Sequence, residues 1–166
     1  MTALEIIEVA FASRTSPERV TEANAPLSEV YSDARAFEGK NWRSVNCGLL
    51  DTYPDCVHGF SPKAFCYFLP GIFSAGIREN RPDLIVNHSL IMTLDRGNAS
   101  GTWDDFFKLR WPTLTQLECG ATQQWIFWLS DQKPSAFSDS ELSRALDTME
   151  LLSNRSLAEP IAGRWR

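Results

Sequence analysis

The sequence predicts an all-α protein, a compact and non-repetitive bundle of about six helices. Three observations carry this expectation. Apolar residues recur at helical spacing over most of the chain. Two capping-box sequences, Thr115-Gln116-Leu117-Glu118 and Ser138-Asp139-Ser140-Glu141, announce helix starts. No hairpin signal and no long alternating strand occurs.

The elements follow in order. Leu4, Ile7 and Phe11, with Ala3 and Ala10 beside them, form a first helical stripe that stops before Pro17. A weaker helix is expected from about Ser28 to Phe37, ended by Gly39. Residues 40–60, with Gly48, Pro54 and Gly59, read as an irregular connection.

The strongest segment opens at Ser61-Pro62. Serine suits the cap, and proline suits the first helical position, whose N–H needs no helical partner. Phe65, Phe68, Leu69, Ile72, Phe73, Gly76 and Ile77 gather on one side, with Lys63, Ser74 and Arg78 on the other. Pro70 falls on the polar side and is expected to kink this helix. Gly76 is expected to admit a close neighbour.

A helix from Pro82-Asp83 to about Arg96 is apolar around most of its circumference, which predicts a central place. Residues 95–101 read as a loop, and a short helix follows from Thr102 to Arg110. The Thr115 helix buries Leu117, Ala121, Trp125, Trp128 and Leu129. The Ser138 helix buries Leu142, Ala145, Leu146, Met149 and Leu152, with Phe137 and Leu142 as a staple.

Nothing marks a domain boundary, so residues 1–166 are expected to form a single domain with a frayed tail from about 157. A chain of 166 residues buries roughly 68–70% of the surface its unfolded form exposes, enough for a core without staples. A hydrophobic share of 43% and a charged share of 22% exclude collagen-like, disordered and disulfide-scaffold classes.

The net charge of −5 argues against a bulk electrostatic grip on nucleic acid. Lys40, Lys63 and Lys108 are dispersed, and no helix carries a basic stripe. No apolar run reaches the ~18 residues of a membrane span. Glu5 and Glu8 interrupt the first apolar stretch, unlike a secretory signal. The expectation is a cytoplasmic protein with neither nucleic-acid nor membrane partners.

Candidate chemistry is thin. Cys47, Cys56, Cys66 and Cys119 include no C-x-x-C pair. Cys47 and Cys56, in a loop-like stretch before His58, read as free thiols rather than metal ligands. Gly71-Ile72-Phe73-Ser74-Ala75-Gly76 differs by one residue from a nucleophile-elbow spacing, and mid-helix Ser74 reads as an ordinary exposed serine.

His88 and Asp95 lie on nearly the same line of one helix. Seven residues separate them by about 10.5 Å along the axis, too far for a direct bond. Asp104 and Asp105 read as carboxylates favoured at a helix N-terminus. No phosphate, dinucleotide, zinc-protease or calcium motif is present. No cofactor or metal is expected.

Four side chains stand out as partner contacts. Ile126 and Phe127 lie off the main stripe of their helix, and Tyr67 lies off its own. Either another helix covers them or they form a docking patch. Trp165, in the terminal Arg164-Trp165-Arg166, joins them as a charged aromatic anchor.

The segment Phe60-Ser61-Pro62-Lys63-Ala64-Phe65-Cys66-Tyr67-Phe68-Leu69-Pro70, with Thr113-Leu114-Thr115 ahead of an aromatic helix, resembles a family of small bacterial proteins catalogued as a domain of unknown function. That family carries a stretch like Phe-Ser-Pro-Glu-Ala-Phe-Arg-Tyr-Tyr-Leu-Pro and a later helix-capping Leu-Thr. The resemblance covers roughly residues 1–132. The chain departs from the pattern at Lys63 and Cys66 and in its extension from Gln132. The family implies no activity and no catalytic residues. The same residues make sense as caps and core.

The expected function is a non-enzymatic, cytosolic protein-binding module of the immunity or adaptor type, an acidic helical surface that masks a basic one. The competing readings are an enzyme with a site around His88, Asp95 and Asp104, and a structural homodimer.

Overall fold

The computed structural model describes residues 1–96 and 100–158. Trp165 and the expected tail beyond residue 158 lie outside them. The described residues hold nine α-helices and no strand, so the all-α class holds with three more helices than expected. The helices are α1 Ala3–Phe11, α2 Glu29–Arg35, α3 Cys47–Thr52, α4 Cys56–Gly59, α5 Pro62–Arg78, α6 Ile85–Thr93, α7 Asp105–Lys108, α8 Gln116–Asp131 and α9 Asp139–Ala158. Single 3-10 turns lie at Trp42–Ser44, Ser100–Thr102 and Trp111–Thr113.

The capping signals form as read. The Ser61 hydroxyl accepts from Ala64 N at 3.2 Å. Thr115 and Glu118 exchange both bonds of their box, as do Ser138 and Glu141. A third box, Thr2 with Glu5, opens α1. Its sequence, Thr2-Ala3-Leu4-Glu5, has the same form as the other two.

The connection at 40–60 is more ordered than expected. Asn41 and Asn46 each cap a short turn, with their side-chain oxygens accepting from Arg43 N and Leu49 N. Cys47 and Cys56 open helices instead of lying in a loop. Asparagine is a good helix cap, and this signal lies within the stretch whose glycines and proline suggest irregularity.

Helix α5 is the axis of the fold. Every residue from Ala64 to Gly76 is buried, including Ser74 and Pro70, which periodicity alone places on a polar face. α1, α3, α8 and the Trp42 turn all pack against α5, so its whole middle is enclosed. The close approach is at Gly71, not Gly76. A Cβ on Gly71 would overlap the Trp42 carbonyl oxygen and sit 3.0 Å from Val45 Cγ2, whereas one on Gly76 meets only ordinary contacts. Gly59 plays the same part where α2 crosses α4, beneath the Val30 carbonyl. Asn80, at φ 52°, turns the chain out of α5.

Helix α6 is less central than its composition suggests. Ile85 and Met92 are exposed, while Val86, Leu90 and Ile91 face the core. Leu117 also leaves its expected stripe for solvent. One contiguous hydrophobic cluster joins residues of all nine helices except the exposed faces, from Ile7 in α1 to Leu152 in α9. Trp42, Trp111 and Trp125 are among its largest members.

Candidate functional site

A candidate groove lies between α1, the Trp42–Ser44 turn and α5. It measures ≈ 420 Å³ and is lined by Leu4, Glu5, Glu8, Val9, Trp42, Arg43, Ser74 and Arg78. That volume is in the range of small-ligand sites. Its elements follow from sequence. The α1 stripe turns Ile7 and Phe11 inward, which leaves Leu4, Glu5, Glu8 and Val9 along the outer edge. The glycine at 71 lets the Trp42 backbone settle on α5, which brings Trp42 beside Ser74.

The rim is charged and tied down. Arg43 Nε donates to Glu8 at 2.8 Å, and its guanidinium lies 4.3 Å from the Trp42 ring centre. Arg78 donates to the Val45 carbonyl at 3.0 Å. Glu5 Oε2 accepts from both the Thr2 amide and the Thr2 hydroxyl. These bonds hold the Glu5 carboxyl below the usual carboxylate range.

Ser74 is the polar group of the interior. It is only 4% exposed. Other helical hydroxyls bond backward to a carbonyl of the preceding turn: Thr52 to Gly48, Thr122 to Glu118, Thr148 to Arg144. The Ser74 hydroxyl makes no hydrogen bond among the described residues, and the surface it keeps belongs to the groove.

A second, smaller cleft of ≈ 310 Å³ is lined by His88, Ile91, Met92, Asp95, Glu141 and Arg144. It brings His88 and Asp95 to one opening, but each is engaged. The His88 ring packs on Phe137 at 4.3 Å between centres. Asp95 accepts from Arg144 Nε at 2.7 Å. Asp104 does not join them. It caps α7 by accepting from Phe107 N at 2.9 Å and pairs with Arg96 at 3.0 Å.

The expected partner contacts separate. Tyr67 is 3% exposed and Ile126 fully buried, so neither offers a surface. Tyr67 sits in the enclosed middle of α5. α8 packs against α1 and α5 as well as α9, which buries more than one stripe of its circumference. Phe127 remains accessible at 46% exposure. Trp165 is outside the described residues. Sequence patterning does not single out the groove residues Trp42 and Arg43, and it misplaces Ser74 on an exposed face. The uncharged run from Ala64 to Gly76 is the available signal for Ser74, since such a run marks a helix buried all round.

The two segments of the Phe-Ser-Pro resemblance meet in space. Cys66 Sγ lies 3.2 Å from Thr113 Oγ1, and Arg110 Nη2 donates to the Phe60 carbonyl at 2.8 Å. Phe60, Phe65 and Phe68 are core residues, and Ser61 and Thr115 are caps.

All four cysteines are free and buried. Burial pushes the Cys47 and Cys119 thiols up to about 12, and raises Cys56 and Cys66 as well. Among the described residues no group of three or more His, Cys, Asp or Glu is placed to hold a metal ion. Nor is any helix there long and apolar enough to cross a membrane. No family model matches the chain, and neither the curated proteins nor the solved structures give a match.

Proposed function

We propose that the protein is a non-enzymatic, cytosolic binding module of the immunity or adaptor type. It masks a basic surface of another protein and seats one side chain of that partner in the α1–α5 groove. The observation that carries this reading is the groove itself: apolar walls from Leu4, Val9 and Trp42, a charged rim, and one buried hydroxyl inside. Interfaces draw their energy from a few side chains anchored in such recesses, with charged groups at the edge setting orientation and encounter rate. The net charge of −5 favours a basic partner.

The test is affinity capture from the native cell at low salt with three proteins: wild type, Val9→Glu and Leu27→Glu. Val9 is 62% exposed in the groove, and Leu27 is exposed but not among its lining residues, so both changes spare the core. One partner is expected on wild type and Leu27→Glu, and none on Val9→Glu. No partner at low salt, or equal retention by all three, overturns the proposal.

The His88 cleft supports a second reading, an enzyme using His88 and Asp95, because both line one opening with Glu141 and Arg144. Its carboxylate is neutralised by Arg144 and its imidazole is packed on Phe137, so this reading needs both contacts to break first.

A further inference from the structure

Helices α1, α5 and α9 cover the side of α8 that carries Cys119, Ala121, Trp125, Ile126 and Leu129. At about 100° per residue, the opposite arc carries Gln116, Leu117, Gly120, Gln124 and Phe127. Leu117 is 69% exposed and Phe127 46%. This arc is free of charge. The charged side chains of α8 are Glu118, buried in the cap, and Asp131 at the last position. A helix face turned to water ordinarily carries charged residues.

Gly120 stands in the middle of the arc. Glycine weakens a helix interior relative to alanine. Nothing within the chain requires it here, because an added Cβ would meet nothing within 4 Å. Gly71 and Gly59, by contrast, lie beneath backbone carbonyls of neighbouring segments. A bare spot on an exposed helix lets the backbone or a long side chain of another helix come close.

The order of residues along the arc fits a copy of itself. Two antiparallel helices related by a two-fold axis face residues whose numbers add to a constant. With the axis level with Thr122, Leu117 faces Phe127 of the second copy, and Gly120 faces Gln124 of the second copy. An apolar side chain then meets an apolar one, and a long side chain lies on a bare backbone. The two Asp131 carboxylates stand at opposite ends, so no like charges meet. A basic partner suited to the net charge of −5 gains nothing from an uncharged face, whereas a second copy loses nothing there.

We infer that α8 is a self-association surface: two copies of the chain pack their α8 helices antiparallel, with Leu117 of each against Phe127 of the other and the crossing over Gly120 and Gln124. A helix of 16 residues is about 24 Å long. One such pair buries less than the ~800 Å² per partner of a stable complex, so the dimer is weak and reversible. No α8 residue lines the α1–α5 groove, so this inference is independent of the groove.

Sedimentation equilibrium of the full chain tests it, with circular dichroism to show that each variant is folded. A monomer–dimer equilibrium is expected for wild type and for Ile85→Glu, which alters an exposed residue on α6. Leu117→Glu and Phe127→Glu are each expected to weaken it about tenfold or more. Gly120→Leu is expected to weaken it without lowering the stability of the monomer. Wild type that stays monomeric up to about millimolar concentration overturns the inference. So does a dimer that both glutamate variants on α8 leave intact. The register is read separately with a short bifunctional thiol reagent, to which the buried native cysteines are closed. Leu117→Cys mixed with Phe127→Cys is expected to crosslink. Either variant alone is not, because its two thiols would lie about 15 Å apart along the axis. Equal crosslinking of the single variants overturns the antiparallel arrangement.

Discussion

Arg14 grips Glu118 across 104 residues of chain, with Nε at 2.6 Å from one carboxylate oxygen and Nη2 at 2.7 Å from the other. The same carboxylate accepts from the Thr115 amide at 2.8 Å and so completes the cap of α8. One buried side chain therefore starts a helix and ties it to the segment after α1. Glu118→Ala removes both roles and strands the guanidinium. Breaking a buried pair costs about 3–5 kcal/mol. Arg14 keeps some access to water, so a loss of about 2–3 kcal/mol is expected. A urea titration checks it as a lower midpoint at unchanged slope.

Two glycines separate open space from close contact. Gly71→Ala drives a methyl into the Trp42 carbonyl and is expected to destabilise by about 1–3 kcal/mol. At Gly120, inside α8, an added methyl would meet nothing within 4 Å. Gly120→Ala is expected to stabilise by about 0.5–1 kcal/mol through helix propensity alone. Thermal melts of the two variants should shift in opposite directions.

Neighbouring positions on α8 behave differently for the same reason. Ile126 is fully buried, and Ile126→Ala is expected to cost about 2–5 kcal/mol. Phe127→Ser, at a half-exposed site, should stay within about 0.5–1 kcal/mol of wild type. A large loss at Phe127 would mean that its ring is part of the core.

Acid should loosen the helix starts. The Ser138 amide and hydroxyl hold the Glu141 carboxyl below its ordinary range, and Thr2 does the same for Glu5. A folded-state value below the unfolded one gives stability that is present above about pH 4.5 and lost as pH falls through the folded value. Urea midpoints should decline below about pH 4.5, and Glu141→Gln should flatten that decline.

The buried thiols should be inert. With their ionisation pushed upward by burial, all four cysteines should react with a disulfide reagent only slowly at neutral pH, and rapidly in denaturant. A thiol that reacts at once in the native protein would contradict the packing around it.

Local signals are legible in the sequence because they act over three or four residues. Ser61-Pro62, Thr115 with Glu118 and Ser138 with Glu141 each announce a helix that forms there. The periodicity of α5 suggests two faces, yet Ser74 and Tyr67 are enclosed, because which flanks of a helix are covered depends on distant segments. The Trp42 turn covers one flank of α5, and a three-residue turn has no periodicity to read. The groove is hidden for the same reason. Two of its three walls lie far from α5 in sequence, and the Trp42 turn settles on α5 because Gly71 carries no side chain.

The most direct test of the binding role is photocrosslinking in the native cell with a benzophenone residue at position 9, compared with one at position 27. A groove that seats a partner predicts a single crosslinked protein from position 9 and none from position 27. No crosslink at position 9, or the same products from both positions, would contradict it.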